Sequence, residues 1–277
     1  GTSGGGGVGA GGAGVASLLG LRAEDFGETA PLGPLRCEQL LRGANEEAFN
    51  RATKIIADFN KSYLLLAKFM EASATKLNTI AEELTAAVTV RAATPVEARV
   101  MSLVAASYVQ RGVYAKVFTA LARHHQSTDA QLTKAMRAMD FSQAALGVEP
   151  RVRCDASPAV FELRKLGSCT CPYEKLLSLR ATGDKLLEAV ERAVSKRSRE
   201  LGRLERVAVT TDELLPLFIH VVGEAGLATL RTDIEYLRLF HTQGLTSPSL
   251  DVFVAHLTAV EAFITAQAPA ASRGRGG

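Results

Sequence analysis

The sequence predicts an all-α fold, with a long N-terminal helix or helical bundle packed against a larger multi-helix domain. Composition points there first: only 6% of the 277 residues are aromatic and Trp is absent, while Ala and Leu abound. That balance favours helix over strand. Between Gly43 and Pro95 there is neither glycine nor proline. Within that stretch Phe49, Ile56, Tyr63, Met70, Leu77 and Leu84 recur every seventh residue, and Ala52, Phe59, Leu66, Ser73, Ile80 and Ala87 fill a second heptad position. The pattern predicts one very long helix, or two with a break near Ser73, carrying a narrow apolar seam.

Residues 1–43 are expected to be a disordered, glycine-rich lead. The opening "GTSGGGGVGAGGAGVASLLG" is of low complexity. Gly9, Gly11 and Gly14 reproduce the spacing of a dinucleotide-binding loop, yet a glycine tract stands where that loop needs a strand. The match is a product of composition. The chain begins with Gly1 rather than Met, as a segment of something longer or a trimmed product would. Residues 44–94 form the heptad segment, which either packs on its own domain or offers a coiled-coil partner or self-association surface.

From Pro95 onward the pattern becomes globular. Pro95 suits a first helical turn, and Val100, Leu103, Val104, Tyr108, Val113, Val117 and Leu121 lie on an apolar stripe. A second helix is expected to be capped by Asp129 and to stop at Gly147. Residues 148–157 read as a loop, followed by a short helix near Ala159–Leu166. Pro172 then opens a long helix that could break at Gly183. The basic cluster Lys196, Arg197, Arg199, Arg203 and Arg206 lies toward that helix's C-terminus, where cations are favoured, and reads as a solvated face. The domain is expected to close at residue 265, leaving 266–277 as a disordered tail.

The hydrophobic fraction of 47% is enough for a sizeable core, and a net charge of +3 does not argue for a nucleic-acid partner. No apolar stretch is long enough to cross a bilayer, so a soluble chain is expected. Cys37, Cys154, Cys169 and Cys171 contain no C-x-x-C pair, and reduced thiols are expected. The C-x-C spacing is poor for zinc, so neither a metal site nor a cofactor is expected. No Ser–His–Asp or paired-carboxylate pattern stands out, and His220, inside "LFIHVV", reads as a hydrogen-bonded core histidine.

One stretch, "TTDELLPLFIHVVGEAG" (210–226), places an acid and a proline at the head of an apolar helix. With Asp212 as N-cap, Pro216 lies close to the first turn and removes one peripheral hydrogen bond. With Thr210 as cap in a box with Glu213, the proline falls deeper and costs more, so the Asp212 cap is favoured.

That stretch follows "GVYAKVFTAL" (112–121) and "CPYEKLLSL" (171–179), and precedes "IEYLRLF" (234–240) and "LTAVEAFI" (257–264). Together they resemble the Vps-nine domain of guanine-nucleotide exchange factors, over roughly Pro95 to Ile264. Members usually carry a helical bundle before the domain. The resemblance implies that "PYEKL" is structural, and that Asp212 enters the nucleotide site of a Rab GTPase of the Rab-five subfamily. There the carboxylate competes for the phosphate-loop lysine and leaves no room for magnesium. Pro216, Leu217, Phe253 and Ala255 are the implied GTPase-binding positions. Phe253 and Ala255 depart from the family pattern, which has tyrosine and threonine there, so the loss of two hydroxyls leaves a second reading open: a non-catalytic Rab-binding scaffold or adaptor with a degenerate exchange site. The resemblance further implies a cytoplasmic protein recruited peripherally to early endosome membranes.

Overall fold

The computed structural model describes residues 33–200, 210–240 and 248–267, and among them are nine α-helices and no strand. Of the expected disordered lead (1–43) and tail (266–277), residues 1–32 and 268–277 lie outside the described residues. In chain order the helices are α1 (Pro34–Ala44), α2 (Glu46–Ser62), α3 (Met70–Thr89), α4 (Pro95–Ala138), α5 (Ser157–Arg164), α6 (Pro172–Glu200), α7 (Thr211–Ala225), α8 (Leu230–Phe240) and α9 (Pro248–Gln267).

Helix α1 begins ten residues earlier than the sequence reading allowed. Pro34 stands in its first turn and Cys37, Leu40, Leu41 and Ala44 make a buried stripe, which is enough apolar surface to order the end of the lead. Helix α9 likewise runs to Gln267, past the expected boundary at 265.

The heptad segment is two helices. Asn45 caps α2 by accepting a hydrogen bond from the Ala48 amide at 3.0 Å. The chain leaves the helix after Ser62, eleven residues before the expected break near Ser73, and passes through a 3-10 turn at Ala67–Phe69. No glycine or proline causes this. Lys116 of α4 donates to the carbonyls of Phe59 and Asn60 at 2.7 and 2.9 Å, taking up acceptors at the C-terminal end of α2. The seam nevertheless keeps its phase across the break. Phe49, Ile56, Met70, Leu77 and Leu84 are buried, as are Ala52, Phe59, Ser73 and Ile80. They face α1, α4 and the end of α8 in one core, so the seam is filled from within the chain and is not open to a coiled-coil partner.

Helix α4 is 44 residues long, about 66 Å at 1.5 Å per residue, and runs through two cores. Its first half packs with α1–α3, and Leu132, Ala135 and Met136 near its end pack with α5–α9. It is not divided at Asp129. That carboxylate is buried and turned outward from its own helix axis to another helix: it accepts the Arg231 amide at 2.8 Å and the Thr232 hydroxyl at 2.6 Å, capping α8. The helix also ends at Ala138 rather than near Gly147.

Helix α6 is continuous through Gly183. Its opening explains "PYEKL". Pro172 is in the first turn, and Glu174 reaches back to the amides of Thr170 and Cys171 at 2.7 and 3.2 Å while pairing with Arg111 of α4 at 2.7 Å. Those donors hold the Glu174 carboxyl below its usual range against the upward push of burial. Lys175 is fully buried and pairs with Asp233 of α8 at 2.8 Å. Among the described residues no single helix is long and apolar enough to cross a membrane.

Candidate functional site

Helix α7 starts two residues before the place where the Asp212 reading put it. Thr210 is the N-cap, in extended conformation, and Glu213 reaches back to it: its carboxylate accepts the Thr210 amide at 2.9 Å and the hydroxyl at 3.0 Å. The capping box, the less favoured reading of the sequence, is the one adopted, because Glu213 at the third helical position satisfies the amide that the chain would otherwise leave unpaired. Arg151 from the loop before α5 also pairs with Glu213. These donors hold the Glu213 carboxyl below its ordinary value, the Thr210 amide most of all. The loop carrying Arg151 is tied down in turn by Arg197 of α6, which donates to the carbonyls of Arg151 and Arg153, each at 2.7 Å.

Asp212 therefore stands at the second position of α7, in the first turn, and is not the cap. Its side chain lies outside the described residues. Pro216 sits inside the helix, half-buried, with no N–H to offer the carbonyl four residues back. The next turn dives into the core: Leu217 is 0% exposed and Phe218 and Ile219 are buried with it. Leu217 is thus a packing residue and cannot be a contact surface for a GTPase, correcting its assignment as a binding position. Gly226 closes α7 in the left-handed conformation, with φ of 65°. His220 is hydrogen-bonded through Nδ1 to the Phe141 carbonyl at 2.7 Å, as expected of a core histidine.

Helix α9 lies beside α7, and the Phe218 and His256 rings meet with centroids 5.7 Å apart. The contact joins the middle of α7 to the middle of α9. On α9 Val252 and Ala255 are exposed, whereas Phe253 is half-buried. The Phe253 ring lies against the backbone of α6 at Gly183, where an added Cβ would come within 2.8 Å of its ζ carbon. Glycine leaves room for the ring in this position, and a larger residue would push it aside. The far edge of Phe253 therefore faces α6 and not an open groove. Leu257, Val260 and Ile264 bury the remaining face of α9.

The contacts that fix these helices use Arg151, which the sequence did not single out, and Arg197, Gly183 and Asp129, which it gave as a solvated face, a possible break and the cap of another helix. Only the Thr210–Glu213 spacing was a usable local signal; the others act across 40 residues or more in sequence. Among the described residues no group of three or more His, Cys, Asp or Glu side chains is placed to hold a metal ion.

Residues 157–268 match the family model of the Vacuolar sorting protein 9 (VPS9) domain, from the first turns of α5 to the end of α9. The matched stretch contains the α7 and α9 openings just described. Over α5–α9 the chain is thus similar to VPS9 domains, a family of guanine-nucleotide exchange factors that bind small GTPases.

Proposed function

We propose that this chain promotes GDP release from an endosomal Rab GTPase of the Rab-five subfamily, with Asp212 as the group that enters the nucleotide site. The observation that carries this reading is the helix opening itself. Thr210 and Glu213 complete the cap without Asp212, so the aspartate is not needed to start α7. Pro216 then interrupts the helix interior, at a typical cost of about 3 kcal/mol, with no local structural return. An acid left over from capping, beside a weakened turn, suits a side chain that acts on a partner. In the nucleotide site a carboxylate would compete with phosphate for the phosphate-loop lysine and crowd out magnesium. No bond is made or broken. The exchange factor binds the empty GTPase more tightly than the loaded one, and linkage weakens nucleotide affinity by the same factor. Pro216, Val252, Phe253 and Ala255 form the surrounding contact surface in this reading, and the chain acts from the cytoplasm on early endosome membranes.

A second reading is favoured by Phe253 and Ala255, where two hydroxyls of the family pattern are absent. Each missing hydrogen bond is worth about 0.5–1.5 kcal/mol, enough together for roughly tenfold weaker exchange. A Rab-binding scaffold without exchange would result if that loss were complete.

Release of bound GDP from a panel of purified Rab GTPases, with the parent chain and with Asp212→Asn, separates the two. Asparagine at the second helical position gives up only the favourable interaction of a charge with the helix N-terminus, about 0.3–1 kcal/mol. Loss of one side of a desolvated charge pair costs about 2–5 kcal/mol, so release should fall roughly thirtyfold or more while melting barely moves. Binding of a Rab with no stimulated release from any member would establish the scaffold reading. Stimulated release that Asp212→Asn leaves unchanged would remove Asp212 from the site.

A further inference from the structure

We propose that the turn between α2 and α3 docks on an anionic lipid surface. The turn is apolar where connections between helices are ordinarily polar. In the extended stretch 63–66, Tyr63 and Leu65 pack on the first core, and the alternate residues Leu64 and Leu66 point outward at 75% and 42% exposure. Phe69, at the end of the 3-10 turn, is 52% exposed. Three large apolar side chains thus stand exposed in one turn among the described residues.

The rim of this tip is basic. Lys61 and Lys68 are exposed on either side of it. Lys68 holds its ammonium 4.9 Å from the Phe69 ring centroid, and Lys76 holds its own 4.9 Å from that of Tyr63. Lys116 adds a further cation at the end of α2. Of the nearby carboxylates, Glu71 is engaged by Arg238 at 2.9 Å, leaving Asp58 against this lysine collar. An apolar tip ringed by long, flexible cations is what the boundary of an anionic bilayer accommodates. The side chains enter the acyl region, while the lysine stems lie along it and their ammonium groups reach the headgroup phosphates. The surface lies in α2–α3, outside residues 157–268, and does not depend on the exchange reading.

The test is sedimentation of the full chain with vesicles of phosphatidylcholine, alone or with added phosphatidylserine. Burial of each large side chain is worth about tenfold in partition, and each lysine near an anionic surface about fivefold. The parent should bind the phosphatidylserine vesicles in preference, and more weakly at high salt. Leu64→Ser with Phe69→Ser should reduce binding by about a hundredfold, and Lys61→Glu with Lys68→Glu by more than tenfold. All four positions are exposed, so melting should be unchanged in both double variants, and nucleotide release measured without vesicles should be unchanged too. Failure of the parent to bind, or equal binding by the serine variant, overturns the proposal. So does conversion of a parent dimer to monomer by the serine variant, which would make the tip an interface between copies. Vesicle binding that emerges only after residues 1–32 are removed would likewise overturn it, by showing that the chain covers the tip itself.

Discussion

Lys175→Met tests whether the α6–α8 contact is held by charge. Lys175 Nζ donates to Asp233 at 2.8 Å and to the Leu166 carbonyl at 2.9 Å, and the rings of Phe118, Tyr114 and Tyr236 surround it at 5.1, 5.6 and 6.0 Å. Neither partner sees solvent: their side chains are 0% and 1% exposed. Methionine fills much of the lysine volume, so the variant removes the charge and leaves little cavity. What remains is a buried carboxylate whose one other donor here is the Thr229 hydroxyl at 2.8 Å. Breaking such a pair from one side costs about 3–5 kcal/mol, a large share of the 5–15 kcal/mol that holds a typical domain. At roughly 2–4 °C per kcal/mol, melting should fall by on the order of 10 °C at neutral pH.

The penalty should depend on pH in a known direction. Burial already raises the Asp233 carboxyl above its ordinary value, against the charge and hydrogen bond of Lys175. Without the lysine that restraint is gone and the folded-state value rises further. A group raised on folding contributes most below its unfolded value of about 3.9, and the contribution is lost as pH rises through the folded value. Lys175→Met should therefore recover toward the parent as pH falls from 7 to 5, with a slope of at most about 1.4 kcal/mol per pH unit. Adding Asp233→Leu should restore most of the loss at neutral pH, because the stranded charge is then absent. Urea denaturation of both variants at two pH values is sufficient. A neutral-pH loss under about 1 kcal/mol, or one that does not shrink in acid, would refute the assignment of a buried charge pair.

Two further outcomes concern the α7 and α9 openings. Phe253→Tyr and Ala255→Thr should separate. Ala255 is exposed, so threonine there should cost no more than about 0.7 kcal/mol in helix propensity and should raise GDP release, whereas Phe253→Tyr puts its hydroxyl against Gly183 and should lower the melting temperature without raising release. Release measured for each single variant decides this, and a gain from Phe253→Tyr would show that its ring turns toward the partner. Glu213→Gln should weaken the α7 cap above about pH 4.5, while the parent should lose the same contribution as pH falls below that value through the lowered Glu213 value, so the two melting curves should converge in acid.

What was legible in the sequence was whatever is written in local periods. The helical class, a short helix near Ala159–Leu166, the α6 opening at Pro172, the heptad burial of Phe49, Ile56, Met70, Leu77 and Leu84 and the seat of His220 all follow from spacing and turn chemistry, whereas Leu66 of the same seam is exposed. The break after Ser62 was not legible because Lys116, which takes up carbonyls at that helix end, stands more than fifty residues away. Asp129 looked like a cap and is one, but for α8, a hundred residues on. The same ambiguity undid Leu217: an apolar residue next to a special turn can serve a partner or a core, and only packing decides.

The packing also bears on how much of the chain the exchange module needs. The match to the VPS9 model begins at residue 157, yet its α8 is held at both ends by α4, outside the match. Asp129 caps the start of α8, and Gln110 donates to the Phe240 carbonyl at its end at 2.8 Å. Tyr236, Leu239 and Phe240 are buried in the core made with α1–α3, while Leu230, Ile234 and Leu237 of the same short helix are buried in the core made with α7 and α9. Stripping α1–α4 would bare three large side chains and unpair both ends of α8, along with the Glu174–Arg111 contact at the head of α6. The helix that carries Asp233 would then lose the neighbours that keep water from the Lys175 pair. The N-terminal bundle is for that reason part of the scaffold on which the α7 and α9 openings stand, rather than an appendage to it.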